Sequence, residues 1–283
     1  MNKRLYIPVL AACAFIVSCQ GNKTEEGKAV APVEVIATPS PIADSSSDLQ
    51  ASSPEIADKS ITVKETDTIS LKGYILHFSP SQKTTFPSIF DDFKERQRVS
   101  KGMDYYDGVQ AVEKMLLAKW ADFCSIKDSM LVLKLDNGKT VSLPQWDKEK
   151  EMGHNLEHFF PRQNYYLVHV PFTEGNTWLL VNKKNGFKKY ICGLPHFSPD
   201  GQSVITASFD LEAGYNFNGM EYLKVQGDSL TEEWRLEIGN NWGPSNIMWS
   251  GKSTVLVKRR TFEEEVNHAP GKNLVSKLVM TKK

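Results

Sequence analysis

Along most of the chain, apolar residues alternate with polar ones or gather in short β-branched and aromatic runs bounded by Gly, Asn and Asp. That period marks strands, not helices. Ile61-Thr62-Val63 and Ile69-Ser70-Leu71 alternate on either side of polar residues and predict a hairpin. Tyr74-Ile75-Leu76-His77-Phe78 either lengthens its second arm or forms a further strand. The pattern changes once: after Pro87 and Ser88, a plausible helix start, Val109, Val112, Leu116 and Trp120 recur at helical spacing. This predicts a small helical insertion over about 88–120 whose apolar stripe packs on a core. The 69–78 strand is expected to pair with a C-terminal strand near Leu274 to Met280, which would hide both edges.

From about residue 120 onward the chain repeats itself at intervals of roughly forty residues. His158-Phe159-Phe160-Pro161 precedes the run Tyr165 to Val170, and His196-Phe197-Ser198-Pro199-Asp200-Gly201 precedes Ser203 to Ala207. Fainter copies are Asp122-Phe123-Cys124-Ser125 before Met130 to Leu133, and Met248-Trp249-Ser250-Gly251 before Thr254 to Val257. Asp136-Asn137-Gly138 and Lys184-Asn185-Gly186 suit tight hairpin turns, because Asn-Gly tolerates positive φ. One such unit cannot bury both its faces, so neighbours must stack. The segment His196 to Gln202 resembles the F-S-P-D-G signature of TolB-type β-propeller repeats. The resemblance implies a mainly β body over 61–283: a propeller-like stack of about four short antiparallel blades, with repeats starting near 122, 158, 196 and 248. The other copies keep less of the motif, and an open β-stack is the alternative.

The N-terminus has a different character. Lys3 and Arg4 precede a mostly apolar stretch from Leu5 to Val17, the anatomy of a secretory signal. It ends in Ile16-Val17-Ser18-Cys19, which resembles the lipobox of bacterial lipoproteins. The resemblance implies a signal peptide over 1–18, cleavage after Ser18, and lipid on the Cys19 sulfur and its freed amine. Leu10-Ala11-Ala12-Cys13 fits the same pattern but leaves too short an apolar stretch before it. Two or three acyl chains hold a protein at a membrane where one binds marginally. Gln20 after the cysteine, in place of Asp, favours the outer membrane, with the periplasmic or cell-surface face left open. Residues 19–60, rich in Ala, Ser, Pro and Thr as in Ala37-Thr38-Pro39-Ser40-Pro41, have no sustained period and read as a disordered tether.

Lys plus Arg and Asp plus Glu each number 34, giving zero formal charge, so the basic excess of a generic nucleic-acid binder is missing. Candidate chemistry is sparse. His154-Asn155-Leu156-Glu157-His158 resembles the inverted zinc motif of insulinase-like metallopeptidases. On a helix it would set two imidazoles one turn apart to hold zinc, with Glu157 as base and Glu232, Glu233 or Glu237 as third ligand. Gly153 and Pro161 leave little room for that helix, and His158 already aligns with His196 in the repeat. Zinc-dependent hydrolysis is therefore the alternative reading, and the main one carries no catalytic residue, metal or cofactor. His169 lies mid-strand, where a structural role fits best. Cys124 and Cys192 remain after processing, either as a disulfide or as two inert buried thiols. Gly214-Tyr215-Asn216-Phe217-Asn218-Gly219 and Gly239-Asn240-Asn241-Trp242-Gly243-Pro244 set aromatics beside amides. Tyr215, Phe217 and Trp242 would suit glycan or peptide recognition, or would plug the space between blades. The expectation is a lipid-anchored envelope protein that binds a protein, peptide or glycan without catalysis. A structural accessory subunit of an envelope complex is a further alternative.

Overall fold

A computed structural model of the chain describes residues 61–82, 84–266 and 274–283. The expected signal peptide, Cys19 and the 19–60 tether lie outside the described residues. Strands β1 (Thr68–Leu71) and β2 (Tyr74–Ser81) form the first hairpin, turning at Gly73, whose φ of 74° favours glycine. Ile61 to Val63 is therefore not a hairpin arm. Ile61 instead makes an isolated parallel bridge to Ile238, and Val63 is buried. Helices α1 (Phe93–Val99) and α2 (Tyr105–Lys119) fill the predicted insertion. Asp104 caps α2 by accepting the Asp107 N–H at 2.9 Å. Ser88 starts no helix; its hydroxyl accepts the Phe90 N–H in a local turn.

Among the described residues four antiparallel sheets follow one another, so the body is mainly β. The first holds β3 (Cys124–Lys127), β4 (Met130–Lys134) and β5 (Thr140–Pro144). The second runs from β6 (Trp146–Asp147) and β7 (Met152–Gly153) through β8 (Asn155–Phe160), β9 (Tyr165–Phe172), β10 (Gly175–Asn182) and β11 (Lys188–Ile191). The third comprises β12 (His196–Phe197), β13 (Ser203–Ser208), β14 (Gly219–Gln226) and β15 (Ser229–Glu237). The last combines both ends of the described chain: β16 (Trp242–Trp249) and β17 (Thr254–Thr261), short helix α3 (Phe262–Val266), then β18 (Leu274–Lys282), which pairs with β2. In that pairing Leu278 faces Phe78 and Met280 faces Leu76, as the edge argument predicts.

Successive sheets share cores, and the alternation of side chains along a strand explains how. On β9, Tyr166, Val168 and Val170 enter a core with β3–β5 and Leu116 of α2. The intervening Tyr165 and Leu167 enter another with Val204, Leu223 and Leu230 of the third sheet. On β13, Val204 faces the second sheet while Ile205 joins Tyr222, Trp234, Leu76, Phe78, Val255, Val257 and Leu278 in a third core. A middle sheet thus needs apolar residues at both parities, which is why Tyr165 to Val170 is continuously buried. The turns obey their sequence cues: Gly138 and Gly186 take φ of 79° and Gly201 takes 68°. In the Ser-Pro-Asp-Gly turn, the Ser198 hydroxyl donates to Asp200 at 2.7 Å and accepts the Ser203 N–H at 3.0 Å.

Leu278→Ala removes a fully buried side chain at the seam between the chain's two ends, and it should cost about 2–5 kcal/mol. Thr281→Ala, one strand position beyond Met280 and exposed, should stay within about 0.5 kcal/mol. Urea denaturation of both variants measures the contrast; equal midpoints would contradict this packing.

Candidate ligand-binding cleft

The H-x-x-E-H segment lies on a strand. His154 precedes β8, and Leu156 and His158 sit either side of a bulge at Glu157. A strand does not set residues four apart one helical turn from each other, so the arrangement needed for zinc is absent. His154 Nδ1 meets the Pro144 carbonyl oxygen at 2.8 Å, and Glu157 faces Arg96 at 2.6 Å, not a water site. Glu232 and Glu233 bond elsewhere, to Lys189 and the Tyr74 hydroxyl, and Glu237 closes β15 in the third sheet.

What His158 and Glu157 do is clamp the helical insertion. Arg96 of α1 donates to Asp92 at 2.6 Å, to the Glu157 carboxylate and to the Glu157 carbonyl, with its guanidinium 4.0 Å from the centre of the Phe90 ring. Glu113 of α2 accepts the Leu156 N–H at 2.8 Å. Burial pushes Glu157 up to about 7 against the pull of Arg96, and it drops His158 to about 4, leaving the imidazole neutral at physiological pH. Among the described residues, the only group of His, Cys, Asp and Glu with metal-ligand spacing is Asp91, Asp92 and His158. Lys119 and Arg96 already neutralise these carboxylates, so the grouping is accounted for as a clamp.

The predicted recognition aromatics part company. Trp242 is buried, 3% exposed; its indole N–H donates to the Val63 carbonyl at 2.7 Å, and its ring meets Phe78 edge-on. It plugs the core. His169 is buried likewise and packs against Trp178, the rings tilted and their centres 4.7 Å apart. Tyr215 is 54% exposed, and Phe217 is half-buried under the Arg235 guanidinium at 3.9 Å. These two line one cavity of about 200 Å³ with Asn176, Tyr190 and Arg235. A second cavity of about 270 Å³ shares Asn176, Cys192 and Asn216 with it and reaches Trp178, His196 and Asn246. Together they form a cleft floored by the second, third and last sheets. No Asp or Glu lines either cavity, and burial lowers His196 to about 4, so it is uncharged.

The loop carrying Tyr215 is built to hold its shape. The Asp210 carboxylate accepts four consecutive backbone N–H groups, those of Ala213, Gly214, Tyr215 and Asn216, at 2.8–3.0 Å. The Asn216 side-chain oxygen in turn accepts the Asn176 N–H at 2.9 Å, tying the loop to β10. Gly175 leaves space for that junction: a Cβ there would lie 2.7 Å from that same oxygen and 2.6 Å from the Phe172 ring, so both side chains would have to shift. A charge-holding Asp at the head of a Gly- and Asn-containing loop is visible in the sequence, though its partners are fixed only by the fold.

Beneath the floor, the Glu221 carboxylate accepts the Cys192 N–H at 3.2 Å, and the Cys192 sulfur lies 3.0 Å from the Thr206 hydroxyl. Cys124 and Cys192 are both free thiols, and burial pushes each up to about 12, which makes them poor nucleophiles. The arrangement offers stacking faces, an amide, a hydroxyl floor and one cation; it offers no nucleophile–base pair. No family model matches the chain, and no curated protein matches it either. Among the described residues no helix is long and apolar enough to cross a membrane.

Burial alone would raise Asp210, but the backbone donors outweigh it and hold its carboxyl below the ordinary value. A depressed folded pKa contributes stability that is present above the unfolded value, about 4, and lost as pH falls through the folded one. Asp210→Ala should therefore cost about 1–2 kcal/mol at pH 7, solvent screening limiting the effect. Denaturation at pH 7 and at about pH 3 should show the gap to wild type shrinking in acid; a gap that widens would contradict the assignment.

Proposed function

We propose that the protein is a lipid-anchored component of the bacterial cell envelope whose body is a propeller-like stack of four blades that binds a glycan without catalysis. The observation that carries the binding reading is the Tyr215 loop. Four N–H groups on one carboxylate fix an exposed aromatic beside a cleft, so little ordering entropy remains to be lost when a ligand stacks there. Sugars present C–H faces to aromatic rings and hydroxyls to amides. Tyr215 and Tyr190 supply the rings, and the Asn176 side-chain amide, which makes no hydrogen bond among the described residues, supplies the donor.

The blade reading draws on the meander order of the sheets, on cores shared by successive sheets, and on the His196 to Gly201 turn that resembles TolB-type repeats. The anchor reading rests on Ile16-Val17-Ser18-Cys19 and on Gln20, which favours the outer membrane.

Calorimetric titration of the body with a panel of purified oligosaccharides tests the binding reading. At least one member should bind, and Tyr215→Ala should weaken it by roughly tenfold, the loss of one stacking face. Intact-mass measurement of membrane-extracted protein should find a chain beginning at an acylated Cys19. A panel with no binder, or affinity indifferent to Tyr215, would overturn the binding reading; an unacylated chain would overturn the anchor.

A further inference from the structure

We infer that the cleft selects saccharides that carry a carboxylate, such as uronic acids, with Arg235 as the group that reads the charge. This rests on the glycan-binding reading above and names the ligand within it. Arg235 is exposed on β15 and stacked on Phe217 at 3.9 Å. A guanidinium stacked by its face keeps its N–H edges free, in a fork that matches a carboxylate. Among the described residues it has neither ion pair nor hydrogen bond. Glu221, its partner in strand register, is turned instead toward the Cys192 N–H and the Thr206 hydroxyl.

The two buried arginines of the body are each matched, Arg96 by Asp92 and Glu157 and Arg259 by Glu65. An unmatched cation at the mouth of a cleft whose lining contains no Asp or Glu leaves room for one negative charge. Phe217 fixes where that charge would sit, and its own position is fixed in turn. A Cβ at Gly219 would lie 2.8 Å from the Phe217 ring, so only glycine lets the ring lie back under Arg235. Tyr215 lines the same cavity as Arg235 and offers a face to the sugar ring that carries the carboxylate.

A peptide ending in a carboxylate would also satisfy Arg235, but the strand edges here suit it poorly. A bound peptide gains most from a regular row of backbone donors and acceptors. Of the edge strands that line the cleft, β16 presents Pro244, which has no N–H, and a bulge before Asn246, β11 and β12 are four and two residues long, and the end of β15 is already bridged by Ile61. A saccharide needs no such row.

The test pairs oligogalacturonides and glucuronate-bearing xylo-oligosaccharides with the same molecules after carboxyl reduction, which keeps every hydroxyl and removes the charge. Calorimetry on the intact protein should show an acidic member binding roughly tenfold to a hundredfold tighter than its reduced twin. The gap should narrow as salt rises from 20 to roughly 300 mM, and Arg235→Gln should bring the acidic member down to the level of the reduced one. Equal affinity for both twins, still sensitive to Tyr215→Ala, would overturn the charge selection while sparing glycan binding. No binding by either twin, with none across the neutral panel, would overturn glycan binding itself. Tighter binding of a free-carboxylate peptide than of its amide, with no saccharide bound, would overturn the saccharide class.

Discussion

The ladder between β2 and β18 is the constraint on which the rest of the body depends. It joins the beginning of the described chain to its end, register-locked from Tyr74 opposite Lys282 to Ser81 opposite Val275. Without it β2 and β18 would each become a further open edge, and the core that holds Leu76, Phe78, Leu278 and Met280 would lose one wall. Each of those side chains contributes about 1.5–3 kcal/mol by leaving water. The segment ahead of β1 strengthens the join: Val63 accepts the Trp242 indole N–H, and Ile61 pairs with Ile238 at the end of β15.

From this closure follows the way the sheets use their faces. Each middle strand feeds two cores, so a substitution on β9 or β13 is felt by two neighbouring sheets. The cleft lies where the second, third and last sheets meet, and rigid strands supply its floor while one short loop supplies its rim. The loop's rigidity comes from electrostatics, since the Asp210 carboxylate gathers the N–H groups that a turn leaves unpaired. The binding proposed for this cleft would thus use a frame that does not have to reorganise. The charged clamp around Arg96 has a different purpose, pinning α1 to β8, and it explains the histidine and glutamate that had looked like a metal motif.

Much of this was legible in the residues. Alternation marked the strands, Asn137-Gly138 and Asn185-Gly186 marked hairpin turns, and Val112 to Trp120 marked the second helix. Edge avoidance pointed to the β2–β18 pairing. The sequence misled where local pattern and long-range packing disagree. Ile61-Thr62-Val63 alternates as a strand does, yet its partner is a single bridge far along the chain. Trp242 sits among Asn and Gly as an exposed aromatic would, but Val63 and Phe78 cover it. The bulge at Glu157 leaves no trace that composition can show. The exposure of Tyr215 was readable because its loop is local; the stacking of Arg235 on Phe217 was not, because it depends on which residues of β14 and β15 face each other.

Amide hydrogen exchange on the intact protein tests the closure most directly. If the chain's two ends lock each other, the amides of Leu76 to Phe78 and Leu278 to Met280 exchange together, with protection matching that of β9 and β13, through opening of the whole body. Rapid exchange in β2 while β17 and β18 stay protected would show the first hairpin fraying on its own, and would contradict the account.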